Sequence, residues 1–424
     1  MKFEEMNLSQ QNDIYEQLKK HYQEIKAKNL SLNMTRGKPC TTQLDICRAI
    51  HEPLENYNYE NGEDARNYGA VEGIPEARRL FGQVFGMDAS QVIVGGCASL
   101  NLMYDTVCRA YIHGVLPDQE PWCKQGNIKF LCPVPGYDRH FAITESFGIE
   151  MVTVPMNEDG PDMDIVEALV SKDAQIKGIW CVPMYSNPDG ITYSDEVVKR
   201  FASMKTAAPD FRIFWDNAYC VHHLDMENRD SLLNLYDECV KNGTEDRLYT
   251  FASTSKITFA GSGISAMAMS PANYAWTLKQ LSIQVICNNN VNQLRHARFL
   301  PDMAAIEKTM SQHAEILRPK FRMVLDKLNA EIKPYGIARW HEPKGGYFIS
   351  FFSMDGCAKR IVSLCKEAGL QLTSAGATYP YGDDPRDSNI RLAPTYPDLA
   401  ELEQAMELFC ITVKMASLEK LINK

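Results

Sequence analysis

Lys256 lies in LYTFASTSKITFAGSGI, among the hydroxyls of Ser253, Thr254, Ser255 and Thr258, with no other charged residue between Arg247 and Lys279. A lysine in such a setting can lose its hydration. Its pKa then falls, and the neutral amine can attack a carbonyl to form a Schiff base. The competing reading is a solvated surface lysine. Asp216 closes the run FRIFWD. A carboxylate at the end of a buried strand is costly without a cation or hydrogen-bond donor; alone, it reads equally as a helix cap or an ion pair. Asn187, in SNPDG, reads alone as a turn. The informative feature is the order Asn187, Asp216, Tyr219, Lys256 at successive strand ends: Asn187 after 178–182, Asp216 and Tyr219 after 212–215, and Lys256 after 248–251.

Those runs predict the elements that position the groups. Residues 91–94, 128–132, 150–154, 178–182, 212–215, 248–251 and 264–269 read as strands, several with helix-length segments between them. This βαβ rhythm predicts an α/β fold with a mostly parallel sheet between helices. In open sheets of this kind ligands bind beyond the carboxyl ends of the strands. After residue 300 the pattern changes. A long helix is expected over 303–328, strands at 337–340, 347–352 and 389–392, a helix near 357–368, and a C-terminal helix from Asp398. This is α+β grammar and predicts a second, smaller domain. At the N-terminus, Ile14, Leu18, Tyr22 and Ile25 share one helical face.

At 424 residues the chain is long enough for two or three domains. Its net charge of −10 argues against a nucleic-acid surface. The thirteen cysteines include no C-x-x-C pair and are odd in number, so the expectation is free thiols in a reducing cytoplasm, with no metal site. Adjacent His222 and His223 lack a third ligand. Neither a secretory signal nor a membrane-spanning run is recognised; the longest uncharged stretch, 257–278, is broken by Gly261, Gly263 and Pro271.

From MTRGKP at residue 34 to RLAPTYP at residue 391 the chain resembles the fold-type I pyridoxal 5′-phosphate enzymes of the class I/II aminotransferase group. The stretches TRGKP, NYGAVEGIPEARRLFG, GGCASLNLMYD, STSKITFAGSG and QLRHARF resemble a divergent aspartate aminotransferase branch. The resemblance implies that Lys256 carries the cofactor as a Schiff base and moves a proton at the substrate Cα. It implies that Asp216 pairs with the pyridine nitrogen, and that Tyr219 and Asn187 bond the ring's phenolic oxygen. Tyr137 matches the aromatic residue that stacks on the ring, while His140 reads as structural. Gly96, Cys97, Ala98 and Ser99 match the phosphate loop, joined by the hydroxyls of Ser253 and Ser255. Backbone N–H groups that open a helix form such an anion site. Tyr68 matches a tyrosine that reaches the partner subunit's phosphate, implying a homodimer with shared active sites. Many relatives have an arginine eight residues after the lysine; here that position is Ile264. Hydroxyls of Ser255, Thr258 or Ser262 and the helix dipole are expected to take over its role.

Arg391 matches the anchor of the substrate α-carboxylate, where a guanidinium can make two parallel hydrogen bonds. For a second carboxylate the candidate is Arg36 beside Gly37, with Arg66, Arg295 and Arg298 as alternatives. The expected function is transfer of the amino group of L-aspartate to 2-oxoglutarate, in amino-acid metabolism. The resemblance also implies a large cofactor-binding domain of about residues 50–300 and a discontinuous small domain from 1–49 and 301–424. The rivals are an aminotransferase of alanine or aromatic specificity, a lyase or decarboxylase on the same scaffold, and a dinucleotide-binding dehydrogenase. For the last, GSGISA at 261–266 matches G-x-G-x-x-A, but no acidic residue follows before residue 302.

Overall fold

The computed structural model describes residues 1–423. All seven apolar runs between residues 91 and 269 become strands of one sheet. After β1 (Leu32–Asn33), which lies elsewhere, these are β2 (Val92–Val94), β3 (Lys129–Val134), β4 (Glu150–Asn157), β6 (Ile176–Cys181), β7 (Arg212–Asp216), β8 (Leu248–Ser253) and β9 (Ser265–Met269). A two-residue strand, β5 (Gly160–Pro161), completes an eight-stranded sheet of order β2-β9-β8-β7-β6-β3-β4-β5. The block β4-β3-β6-β7-β8 is parallel. Strand β9 runs antiparallel to both β8 and β2, so β2 points the same way as the parallel block. The edge strand β5 is antiparallel to β4.

The central strands β6 and β7 are buried along their whole length and largely apolar, because helices cover both faces of the sheet. Side chains alternate between two cores, as the period of two requires. Trp180, Phe214 and Tyr249 pack on one side, with Leu102, Met103 and Val107 of the helix Ser99–His113. Ile179, Ile213 and Leu248 pack on the other, with Val197, Val198 and Phe201 of the helix Asp195–Ser203. That second helix starts at Ser194, whose hydroxyl accepts from the Val197 amide. A side chain such as Phe214, fully removed from solvent, contributes about 3 kcal/mol.

The remaining strands are β10 (Ala338–Trp340), β11 (Ile349–Ser353), β12 (Leu370–Gln371) and β13 (Asn389–Leu392). Strands β10, β11 and β13 form an antiparallel sheet in which Arg391 stands opposite Ser350. The chain start joins this region in two ways. β1 pairs in parallel with β12, placing Leu32 beside Leu370. The helix Leu8–Lys26 packs through Tyr22 and Ile25 into the core that holds the helix Leu399–Ile422. The expected helix at 303 runs on to Glu331, capped by Asp302. As a result, segment 34–39, just after β1, is held near β13: the Thr373 hydroxyl donates to Thr35 O at 2.6 Å and accepts from Arg391 Nη2 at 3.3 Å.

Candidate active site

Because β2, β3, β6, β7 and β8 all point one way, the segments that leave their carboxyl ends emerge together at one edge of the sheet. The antiparallel β9 begins at that edge, with Ser265 paired to Ser253. Asp216, the last residue of β7, is 3 % exposed. Its Oδ2 lies 3.0 Å from His140 Nε2, and its Oδ1 has no hydrogen-bond partner among the described residues. His140 stacks on Trp180 at 4.5 Å and meets Tyr137 edge-on at 4.9 Å. The histidine read as structural therefore holds the buried carboxylate directly.

Lys256 follows β8 on a turn closed by the Ile257 and Thr258 amides donating to Thr254 O. Its carbonyl accepts from Tyr347 Oη at 3.3 Å, and Tyr347 in turn accepts from Gln43 Nε2. The ammonium lies 4.8 Å from the centre of the Tyr219 ring. Burial lowers the pKa of Lys256, with Asp216 opposing the shift. Burial pushes Tyr219 well above its usual pKa and Tyr137 up to about 12, the Asp216 charge adding to both, so both phenols keep their protons near neutral pH.

Arg391 is nearly buried. Nη1 donates to Asp138 Oδ1 at 2.8 Å and to Asn187 Oδ1 at 3.3 Å, while Nε has no partner among the described residues. Its guanidinium carbon lies 4.8 Å from the centre of the Phe348 ring. Gly37 lets the chain approach that ring; a Cβ on Gly37 would stand 2.5 Å from Phe348 Cζ.

These groups surround one cavity of about 370 Å³. Of the residues singled out from sequence, Arg36, Gly37, Tyr137 and Asn187 line it, as do Tyr219, Ser255, Lys256 and Arg391. Asp216 lies behind the Tyr137–His140 pair. Gly96, Cys97, Ala98 and Ser99 sit beyond β2, where the Gly96, Cys97 and Ala98 amides donate to no acceptor among the described residues. Ser255 Oγ donates to Cys97 O and accepts from Ser253 Oγ, which joins this loop to the lysine turn. Tyr68 is 76 % exposed and does not line the cavity. Ile264 is buried in the apolar cluster that includes Val92, Val94 and Ala252. Arg66 is engaged with Asp64, and Arg298 with the carbonyls of Asn56 and Asn58. Arg295 lies outside the cavity lining. Sequence reasoning passed over Lys38, Asp138, Arg139 and Phe348, which also line the cavity. Two roomier cavities, of about 410 and 630 Å³, do not include Lys256.

The arrangement offers a desolvated amine, a buried carboxylate with a free oxygen, phenol donors and a nearly buried guanidinium. Together these suit Schiff-base chemistry on a carboxylate-bearing substrate. An aspartate aminotransferase of Corynebacterium glutamicum is 45 % identical over 411 residues, covering 96 % of this chain and 95 % of that protein. The crystal structure of an aspartate transaminase from Corynebacterium glutamicum superposes with a TM-score of 0.96 at 43 % identity, over 99 % of both chains. The fold extends to an α-aminoadipate aminotransferase of Thermus thermophilus, with a TM-score of 0.72 at 18 % identity over 93 % of each chain. Residues 6–424 match the model of the family described as aspartate amino-transferase, and the chain belongs to that family.

Proposed function

We propose that the protein moves the amino group of L-aspartate to 2-oxoglutarate, yielding oxaloacetate and L-glutamate, with pyridoxal 5′-phosphate held at Lys256. The observation that carries this reading is the desolvated Lys256 amine over Tyr219, flanked by Asp216 with a free buried oxygen and by Arg391. The donor set fits the cofactor. Asp216 Oδ1 suits a protonated ring nitrogen. The free amides of Gly96, Cys97 and Ala98, with the Ser253 and Ser255 hydroxyls and the first turn at Ser99, suit a phosphate. The Thermus relative was crystallised with a phosphopyridoxyl-leucine adduct, which supports the same cofactor here.

When bound, pyridoxal phosphate supplies an aldehyde that amines can take in turn and a ring that draws electron density from the substrate Cα. The chain's own groups do the rest. Lys256, whose burial lowers its pKa and so favours the neutral amine, takes and returns the proton at Cα. Asp216, held by His140, would pair with the ring nitrogen and favour its protonated form. Tyr219 and Asn187 would hold the cofactor at its phenolic oxygen, and Tyr137 would pack against its ring. Arg391 binds the α-carboxylate, and Arg36 is a candidate for the second one.

The wider reading is a cytoplasmic homodimer with shared active sites. Thirteen free cysteines support the compartment, and the exposed Tyr68, Ile283 and Ile286 support a partner surface. Pairing of β1 with β12 supports a small domain built from 1–49 and 301–424, beside a large one of 50–300.

The test is absorbance of the purified protein, followed by titration with L-aspartate. Conversion to the pyridoxamine form with release of oxaloacetate is expected. No conversion by any amino acid overturns the aminotransferase reading, and conversion by alanine but not aspartate overturns the substrate alone. Lys256→Ala is expected to abolish turnover.

A further inference from the structure

We infer that Gln43 and Tyr347 are positioning residues: they form a relay of hydrogen bonds through which the cavity-lining segment 36–39 fixes the backbone, and with it the amine, of Lys256. This deepens the aminotransferase function proposed for the site and rests on it.

The relay has one consistent direction. The Cys40 amide can only donate, so Gln43 Oε1, 3.1 Å away, faces it. The Gln43 amide nitrogen then has two hydrogens and two acceptors, His313 Nδ1 at 2.9 Å and Tyr347 Oη at 3.1 Å. Burial holds His313 down to about 4, so its Nδ1 remains an acceptor near neutral pH. Having accepted from Gln43, the Tyr347 hydroxyl donates to Lys256 O at 3.3 Å. Gln43, His313 and Tyr347 are all fully removed from solvent. A bond lost from this series therefore leaves a buried polar group unpaired, which is costly.

The two ends of the relay lie at the reacting centre. Cys40 directly follows Arg36, Gly37, Lys38 and Pro39, which all line the cavity of Lys256. It also precedes the six-residue helix Thr41–Ile46, which carries Gln43. Cys47, at the far end of that helix, directs its thiol to Ile257 O at 3.2 Å. One short helix thus holds two consecutive carbonyls of the lysine turn, Lys256 through Tyr347 and Ile257 directly. Tyr347 is followed by Phe348, whose ring centre lies 4.8 Å from the guanidinium carbon of Arg391. Segment 36–39, the support of Arg391 and the Lys256 backbone are therefore fixed to one another. A small rotation of that backbone is amplified at the end of the lysine stem, and misplacing a reacting atom slows chemistry more than it weakens binding.

The test uses Tyr347→Phe, which removes only the hydroxyl, Gln43→Met, which keeps the side-chain length, and the double variant. Melting curves establish that each is folded. Steady-state kinetics give kcat and KM for L-aspartate with the holoenzyme. The rate at which the apoprotein takes up pyridoxal phosphate, followed by absorbance, reports on Lys256 without turnover. Each single variant is expected to lower kcat and slow cofactor uptake about three- to tenfold, the size of one buried neutral hydrogen bond, with KM within about twofold. The double variant is expected to lose no more than the worse single one, because the relay is already broken. Unchanged kcat and uptake in folded Tyr347→Phe overturn the inference, as does a loss confined to KM. Losses that multiply in the double variant overturn it too, since they would show two independent supports. If Gln43→Met does not fold, Tyr347→Phe decides alone. A wild-type enzyme that converts no amino acid overturns the proposed function instead, and cofactor uptake by Tyr347→Phe still decides the positioning role.

Discussion

Arg391 Nη1 lies 2.8 Å from Asp138 Oδ1, so the guanidinium on β13 is held by a carboxylate from the helix that comes after β3. The pair ties the two sheets together, and it places a carboxylate of the chain where a substrate carboxylate is proposed to bind. An incoming anion must displace Asp138 or bind beside it, and either costs free energy. Asp138→Asn is therefore expected to lower KM about three- to tenfold for amino acids and oxo acids alike, with kcat nearly unchanged. The effect is modest because Asp138 is one-third exposed. Steady-state kinetics decide the sign: a raised KM would show that Asp138 orients Arg391 rather than competing for it.

The bond between His140 and Asp216 carries a second prediction. Replacing His140 by Leu leaves Asp216 Oδ2 buried without its donor, a loss of roughly 1–3 kcal/mol. Turnover is expected to fall about tenfold or more, and the cofactor to dissociate faster on dialysis, because the carboxylate is no longer held towards the ring site. Cofactor retention and kcat equal to wild type would reduce His140 to a packing residue.

The physics of each feature decides how much of it is legible in the sequence. The strands are visible because burial on both faces makes them unbroken apolar runs, as in Ile179–Trp180–Cys181 and Ile213–Phe214–Trp215. β1, β5 and β12 have two residues each, too few for any period to register. The grouping of Asn187, Tyr219 and Lys256 is visible because unusual polar residues recur at strand ends, whereas Arg391, inside β13, is legible only through the family resemblance. Asp138, Arg139 and Phe348 are not: a charge after a turn and an aromatic before a strand have ordinary explanations. His140 reaches a carboxylate 76 residues later in the chain, a contact that only the stacking of β3 near β7 creates.

Gly37 tests how closely the N-terminal segment must approach Arg391. A methyl group there would lie 2.5 Å from Phe348 Cζ and 3.1 Å from Tyr347 Cβ. Phe348 cannot swing freely, since it is 5 % exposed, underlies Arg391 and meets Tyr219 edge-on. Gly37→Ala is expected to raise KM for aspartate about tenfold by shifting Phe348 and with it Arg391. A KM within twofold of wild type would show that the segment has room to retreat.

Stability against acid gives the last prediction. Burial holds His296 and His313 down to about 4, and holds His222 well below its usual value, with Lys256 and His313 adding repulsion. His296 is kept neutral by burial, against the pull of the Asn292 carbonyl, which lies 2.8 Å from Nδ1 and raises its pKa; Nε2 lies 3.0 Å from the Thr258 hydroxyl. In the unfolded chain these rings titrate near 6.5. Between pH 6.5 and about 4 the unfolded state therefore binds more protons than the folded one, and stability falls as pH falls. Each ring contributes at most about 1.4 kcal/mol per pH unit in that window. The melting temperature is expected to be level above pH 7 and to drop steadily from pH 6.5 to 4.5. His296→Gln should flatten that drop while lowering the value at pH 7.5. A variant whose melting temperature tracks the wild-type curve in parallel would show that His296 is not one of the groups responsible.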